Sequence, residues 1–132
     1  MDNMIENYTN NINHRDKKAI QLFTEIGFQK NIAKTLIYIS KNGGCQSIEI
    51  EQDTNQRQPE VSAAMQVLIR KGWITKKDFR KKRKGRPAQI YKLAYSLNEI
   101  LVEIENEKIK EIESVKKDIS ILKKLIEKNN NN

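Results

Sequence analysis

A single cysteine, Cys45, excludes an internal disulfide, and a single histidine, His14, sits in an Asn-rich leader with no second ligand candidate nearby. Neither a metal site nor a cofactor is therefore expected. Apolar runs are short as well. Nothing approaches the roughly 20 consecutive apolar residues needed to cross a bilayer, and the first sixteen residues lack the apolar stretch of a signal peptide. The expectation is a cytoplasmic protein with no membrane partner. Also missing are a Gly-rich phosphate loop, a His-containing metal spacing and an elbow-type serine, so no catalytic residue and no enzymatic role is expected.

What the chain does have is positive charge, unevenly placed. Its 132 residues include 25 Lys and Arg against 17 Asp and Glu, a formal net charge of +8, which points to a polyanionic partner, with nucleic acid ahead of an anionic membrane surface. Residues 47–69 carry one basic and four acidic side chains, whereas residues 70–95 carry eleven basic and one acidic. Within that second stretch Lys76, Lys77, Arg80, Lys81, Lys82, Arg83, Lys84 and Arg86 surround the tripeptide Gly85, Arg86, Pro87. Cations crowded this closely repel one another, and a polyanion relieves the repulsion. The plainer alternative is a solvated basic turn.

Periodicity organises the rest. Ile20, Phe23 and Ile26 recur at helical spacing before Gly27. Ile32, Ala33, Leu36 and Ile37, with Ser40, form a second apolar stripe that Asn42, Gly43 and Gly44 terminate. Ser47 is a candidate cap for a short helix over 48–54, with Ile50 as its inward anchor. Pro59 suits the first turn of the next helix, in which Val61, Ala64, Met65, Leu68 and Ile69 mark the core face. The opposite face presents Gln58, Ser62, Ala63 and Gln66, with Arg57 just before and Arg70 at the end, groups able to approach base edges. Residues 73–79 and 89–95 have the β-branched and aromatic content of a hairpin around the basic tip, and Ile74, Ile90, Tyr91 and Leu93 are expected to roof the core.

The last segment carries Leu97, Leu101 and Ile104, then Ile112, Val115, Ile119, Leu122 and Ile126 in steps of three and four. The second run reads as a heptad seam, a coiled-coil element for homodimerisation, and the five-residue step from Ile104 to Ile109 breaks its phase. A helix of this length is expected to measure about 50 Å. The orientation of the pairing is left open.

The fold class expected is thus mainly α with a small β-hairpin: a winged helix-turn-helix over 17–95 followed by a long dimerisation helix over 96–128. Polar, disordered tails are expected at 1–16 and 129–132. The stretches EIGFQKNIAKTLIYISKNG, RQPEVSAAMQVLIRKGWI and KGRPAQIYKL, spanning roughly residues 22–93, resemble the DNA-binding domain of archaeal TrmB-type transcription regulators and, more loosely, the MarR group. The resemblance implies binding to double-stranded DNA, with the helix over 58–71 in a major groove and the wing on backbone or minor groove. Gln58, Glu60, Ser62, Ala63 and Gln66 would then face the groove, and Arg83, Lys84 and Arg86 would sit on the wing. It assigns no small-molecule effector.

Two other readings of the same residues stand beside a sequence-specific regulator. One is a winged helix that docks a protein of the transcription machinery. The other is an architectural or RNA-binding protein that grips backbone charge without reading sequence. For Cys45 a redox role competes with simple burial, and for Trp73 core packing is favoured over stacking on a ligand.

Overall fold

The computed structural model describes residues 13–79 and 88–130. Residues 1–12 and 131–132 of the tails expected at 1–16 and 129–132, and the wing tip with Arg80, Lys81, Lys82, Arg83, Lys84 and Arg86, lie outside the described residues. The chain divides into two compact units between Ser96 and Leu97. No described helix is long and apolar enough to cross a membrane.

The first unit is built from four helices and a hairpin: α1 (His14–Glu25), α2 (Lys30–Asn42), α3 (Ser47–Thr54), α4 (Gln58–Arg70), β1 (Ile74–Phe79) and β2 (Ala88–Leu93). Helices α2, α3 and α4 followed by two antiparallel strands make α3, its turn and α4 the helix-turn-helix and the hairpin its wing. The core gathers Ile20 and Phe23 from α1, Leu36 and Ile39 from α2, Ile50 from α3, Val61, Ala64 and Leu68 from α4, and Trp73 and Ile74 at the start of the hairpin, all buried. Phe23, Phe28 and Trp73 form an aromatic chain with centroid separations of 5.7 and 6.1 Å, and Lys71 Nζ lies 5.0 Å from the Trp73 ring centre. Trp73 is fully buried, so it is a core residue.

Several local expectations are corrected. His14, Arg15 and Asp16 belong to α1 rather than to the leading tail, because Asn13 and Asp16 cap it reciprocally. The Asp16 N–H donates to Asn13 Oδ1 at 2.9 Å and the Asn13 N–H donates to Asp16 Oδ2 at 3.3 Å. Asp16 is buried and also accepts from Lys41 Nζ at 2.5 Å, tying α1 to α2. Helix α3 begins at Ser47 itself, with Gln46 as its cap and Glu49 Oε1 accepting the Gln46 N–H at 2.9 Å. Ile26 and Ile69 follow the helical spacing but are exposed, at 44% and 39%. Ile26 lies past the end of α1, and Ile69 stands on the flank of α4 that faces the hairpin.

Strand register is set by the pairs Ile74 with Leu93, Lys76 with Tyr91 and Asp78 with Gln89 on one face, and Thr75 with Lys92 and Lys77 with Ile90 on the other. Alternation therefore separates Ile90 from Tyr91 and Leu93, which the sequence reading had grouped. On the far edge of β2, Cys45 and Tyr91 exchange both backbone hydrogen bonds, at 3.1 and 2.8 Å. The hairpin is thereby stitched to the chain entering α3. The approach is close: a Cβ on Gly44 would stand 2.8 Å from Ile90 Cγ2.

The turn between α3 and α4 uses Asn55 in the left-handed region at φ 54°, a conformation asparagine tolerates. Gln56 follows, buried, its Nε2 donating to Thr54 Oγ1 at 2.8 Å and to Thr35 Oγ1 at 3.3 Å.

The second unit is the single helix α5, Leu97–Asn130, 34 residues and about 51 Å at 1.5 Å per residue. It runs through Lys128 and Asn129, two residues further than the sequence suggested. Leu97, Leu101 and Ile104 lie in its N-terminal third, and the seam residues Ile112, Val115, Ile119, Leu122 and Ile126 are exposed.

Candidate nucleic-acid interface

Helix α4 owes its position to both ends and to one face. At its start Glu60 Oε1 accepts the Arg57 N–H at 3.2 Å, and Asn31 Nδ2 of α2 donates to the Glu60 carbonyl at 3.0 Å. At its end Gly72 turns the chain with φ 78°, a left-handed value that a side chain would oppose. Between them Val61, Ala64, Met65 and Leu68 are buried, which leaves the polar flank outward.

That flank borders a concavity of about 350 Å3. Helix α4 contributes Gln58, Ser62, Gln66 and Ile69; the hairpin contributes Lys76, Gln89 and Tyr91; α3 contributes Ser47 and Glu51. Of the residues singled out in the sequence, the structure thus brings together Gln58, Ser62, Gln66 and Lys76. Ala63 and Arg70 are exposed on the outer ridge of α4, Arg57 is exposed just before it, and Lys77 points to the opposite face of the hairpin from Lys76. Glu60 is engaged at the helix start.

Sequence reasoning missed Gln89, Tyr91, Ser47, Glu51 and Ile69 as groove residues. Strand alternation from Lys76 across to its partner was the available signal for Tyr91 and Gln89. Because Tyr91 spends its backbone N–H and C=O on Cys45, its pairing with Lys76 is of the non-hydrogen-bonded kind, in which side chains stand closer. The Tyr91 hydroxyl donates to Gln89 Oε1 at 3.2 Å, and burial raises its pKa above the ordinary tyrosine value.

The acidity of the helix-turn-helix has a structural explanation. Glu49 and Glu60 accept backbone N–H groups at the starts of α3 and α4, and Asp53 Oδ2 accepts the Tyr38 hydroxyl at 2.5 Å. Burial and that hydrogen bond to Asp53 raise the Tyr38 pKa. Among the acids of residues 47–69, only Glu51 lines the groove.

Chemically the groove offers amide and hydroxyl groups that both donate and accept, one ammonium and one exposed isoleucine. An amide with both functions matches the N6 and N7 edge of adenine, and an apolar group matches a thymine methyl. A second concavity of about 480 Å3 lies between α1, α2 and the end of α3, where Lys17, Lys30 and Lys34 are among the lining residues. Burial and the charge of Lys30 lower the Lys34 pKa. No three His, Cys, Asp or Glu side chains among the described residues stand together as a metal site.

No family model matches the chain, and no curated protein does. Among solved structures the chain is similar to a MarR family regulator from Neisseria meningitidis, at 17% sequence identity and a TM-score of 0.45, over 82% of this chain and 82% of that one. The winged-helix assignment rests on this chain's own element order, strand register and hydrogen bonds.

Proposed function

We propose that the protein is a cytoplasmic, sequence-specific transcription regulator that binds double-stranded DNA as a homodimer. Helix α4 enters the major groove and the basic wing meets backbone or minor groove. The observation that carries this reading is the shared groove of Gln58, Ser62 and Gln66 on α4 with Lys76 on the hairpin. Base-reading groups and a phosphate-neutralising cation stand there on one surface.

Sequence charge supports the same surface. Between the two strands the chain reads RKKRKGRP, six cations in eight residues with no acid, so the segment that joins the strand pair supplying Lys76 is itself strongly basic. The resemblance to TrmB-type regulators agrees with this placement. The reading as a protein-docking module is disfavoured by the same concentration of cations, which fits a polyanion better than a typical protein surface.

Selection of bound sites from a random double-stranded DNA pool tests the proposal, with the quadruple alanine variant at Lys81, Lys82, Arg83 and Arg86 as control. An enriched inverted repeat, bound more weakly by the variant, is the expected result. Retention of DNA without enrichment identifies a non-specific architectural binder, and no retention overturns DNA binding.

A further inference from the structure

The apolar residues Ile112, Val115, Ile119, Leu122 and Ile126 of α5 are between 46% and 56% exposed and follow one another in steps of three and four. They occupy positions a, d, a, d and a of a heptad. That register places the flanking residues: Lys116 and Lys123 fall at e, and Glu111, Asp118 and the apolar Leu125 fall at g.

We propose that residues 111–126 pair in parallel and in register with the same segment of a second copy, as a two-stranded coiled coil. The proposal rests on the homodimer reading above and adds to it the segment, the orientation and the stoichiometry. In a parallel pair the g residue of one chain faces the e residue five positions later on the other. Glu111 then faces the partner's Lys116 and Asp118 faces the partner's Lys123, and symmetry doubles both pairs. An antiparallel pair instead sets e against e and g against g, so that lysines approach lysines or acids approach acids.

Residue shape points the same way. All three a positions are isoleucine and the two d positions are Val115 and Leu122; β-branched a residues with leucine at d, as at Leu122, favour two parallel strands over three or four, and Val115 is the one β-branched exception at d. The seam also has a defined beginning. The two core positions that precede it are Glu105 and Lys108, both charged, and Lys108 Nζ pairs with Glu111 Oε2 of its own chain at 3.3 Å. The pairing therefore runs C-terminally from Glu111, and both Leu97 ends leave the stem on the same side.

Disulfide trapping on the full chain tests the orientation. Ile112→Cys and Ile126→Cys are oxidised separately and as a mixture, with the native chain as control because its one thiol, Cys45, is buried. Parallel pairing links each variant to itself. An antiparallel pair brings at most one of the two positions together with itself, so failure of either variant to self-link while the native chain sediments as a dimer overturns the orientation alone. A monomer by sedimentation equilibrium overturns the homodimer reading as well, and a trimer or tetramer overturns the two-stranded form.

Charge reversal supplies a second arm that leaves the seam intact. Lys116→Glu with Lys123→Glu is expected to weaken dimerisation by about tenfold or more. Adding Glu111→Lys and Asp118→Lys to the same chain is expected to restore it, with helicity by circular dichroism unchanged throughout. An unchanged dimer after the first pair of substitutions, or no recovery after the second, overturns the proposed g-to-e pairing.

Discussion

Cys45 and Tyr91 exchange both of their backbone hydrogen bonds across 46 residues of sequence. This rung holds β2 against the entry to α3, and so fixes the hairpin face that carries Lys76 and Tyr91 relative to the flank of α4 that carries Gln58 and Ser62. Glycine at position 44 leaves room beside this rung for the Ile90 and Lys92 side chains.

Gly44→Ala is expected to destabilise the fold by about 1–3 kcal/mol, the usual cost of inserting a methyl group into an occupied space, because the new Cβ stands 2.8 Å from Ile90 Cγ2. Urea denaturation followed by tryptophan fluorescence measures it, Trp73 being buried beside the hairpin. A midpoint equal to that of the native chain contradicts the close approach.

The Cys45 thiol is buried and beside Glu49 and Asp53, with burial the larger cause, and its pKa is pushed up to about 11 from 9.0. A folded-state pKa above the unfolded value contributes stability that is complete below the unfolded pKa and is lost as pH rises through the folded one. Stability is therefore expected to fall between about pH 9 and 11, with Cys45 responsible for up to about 1.4 kcal/mol per pH unit in that window. Tyr38 and Tyr91 shift in the same direction, so Cys45→Ala reduces the slope without abolishing it. The same protonated, covered thiol reacts slowly with thiol reagents in the folded state, and rapid modification at pH 7.5 contradicts this picture and reopens a redox role.

The groove residues separate affinity from preference. Gln58→Ala or Gln66→Ala is expected to relax sequence preference by about 1–3 kcal/mol at one base pair while leaving the salt dependence unchanged. Lys76→Ala is expected to weaken all sequences alike and to reduce the slope of log K against log salt by about 0.9. With about six phosphates contacted, the native slope is about −5. Fluorescence anisotropy titrations from 50 to 200 mM salt, a range of about fourfold over which electrostatic contacts are readily resolved, distinguish the two effects.

Asp16→Ala removes a helix cap and the acceptor for Lys41 together, and is expected to cost about 1–2 kcal/mol. Lys41→Ala removes the half-exposed ion pair but leaves the cap in place, and is expected to cost less than about 1 kcal/mol. Thermal unfolding of the two variants orders them, and equal losses contradict the capping role.

Much of the architecture was legible in the sequence because it is carried by local periodicity. The stripe Val61, Ala64, Met65 and Leu68 sets the rotation of α4, the β-branched and aromatic runs around the basic tip mark the hairpin, and the helical spacing of the last segment marks α5. What was not legible depends on choices among neighbours or on contacts far apart in the chain. Gln46 rather than Ser47 caps α3 because Glu49 reaches its N–H. Asp16 closes the cap of α1 with Asn13 and is also held by Lys41, 25 residues away. Tyr91 reads from the sequence as part of the roof of the core, and the strand register with the rung to Cys45 reveals that it stands beside Lys76. The acids of the helix-turn-helix read only as a count of charges until their acceptor roles are known.

The turn at Gln56 divides labour within the helix-turn-helix. Thr35, Thr54 and Gln56 hold the turn from inside, out of contact with the groove, whereas Gln58, Ser62 and Gln66 border the groove and contribute little to the core. The side chains that hold the turn before α4 are thus a different set from those that border the groove. Under the proposed function, drift at the second set rewrites the preferred operator while the first set keeps the protein folded, so specificity is free to evolve at little cost in stability.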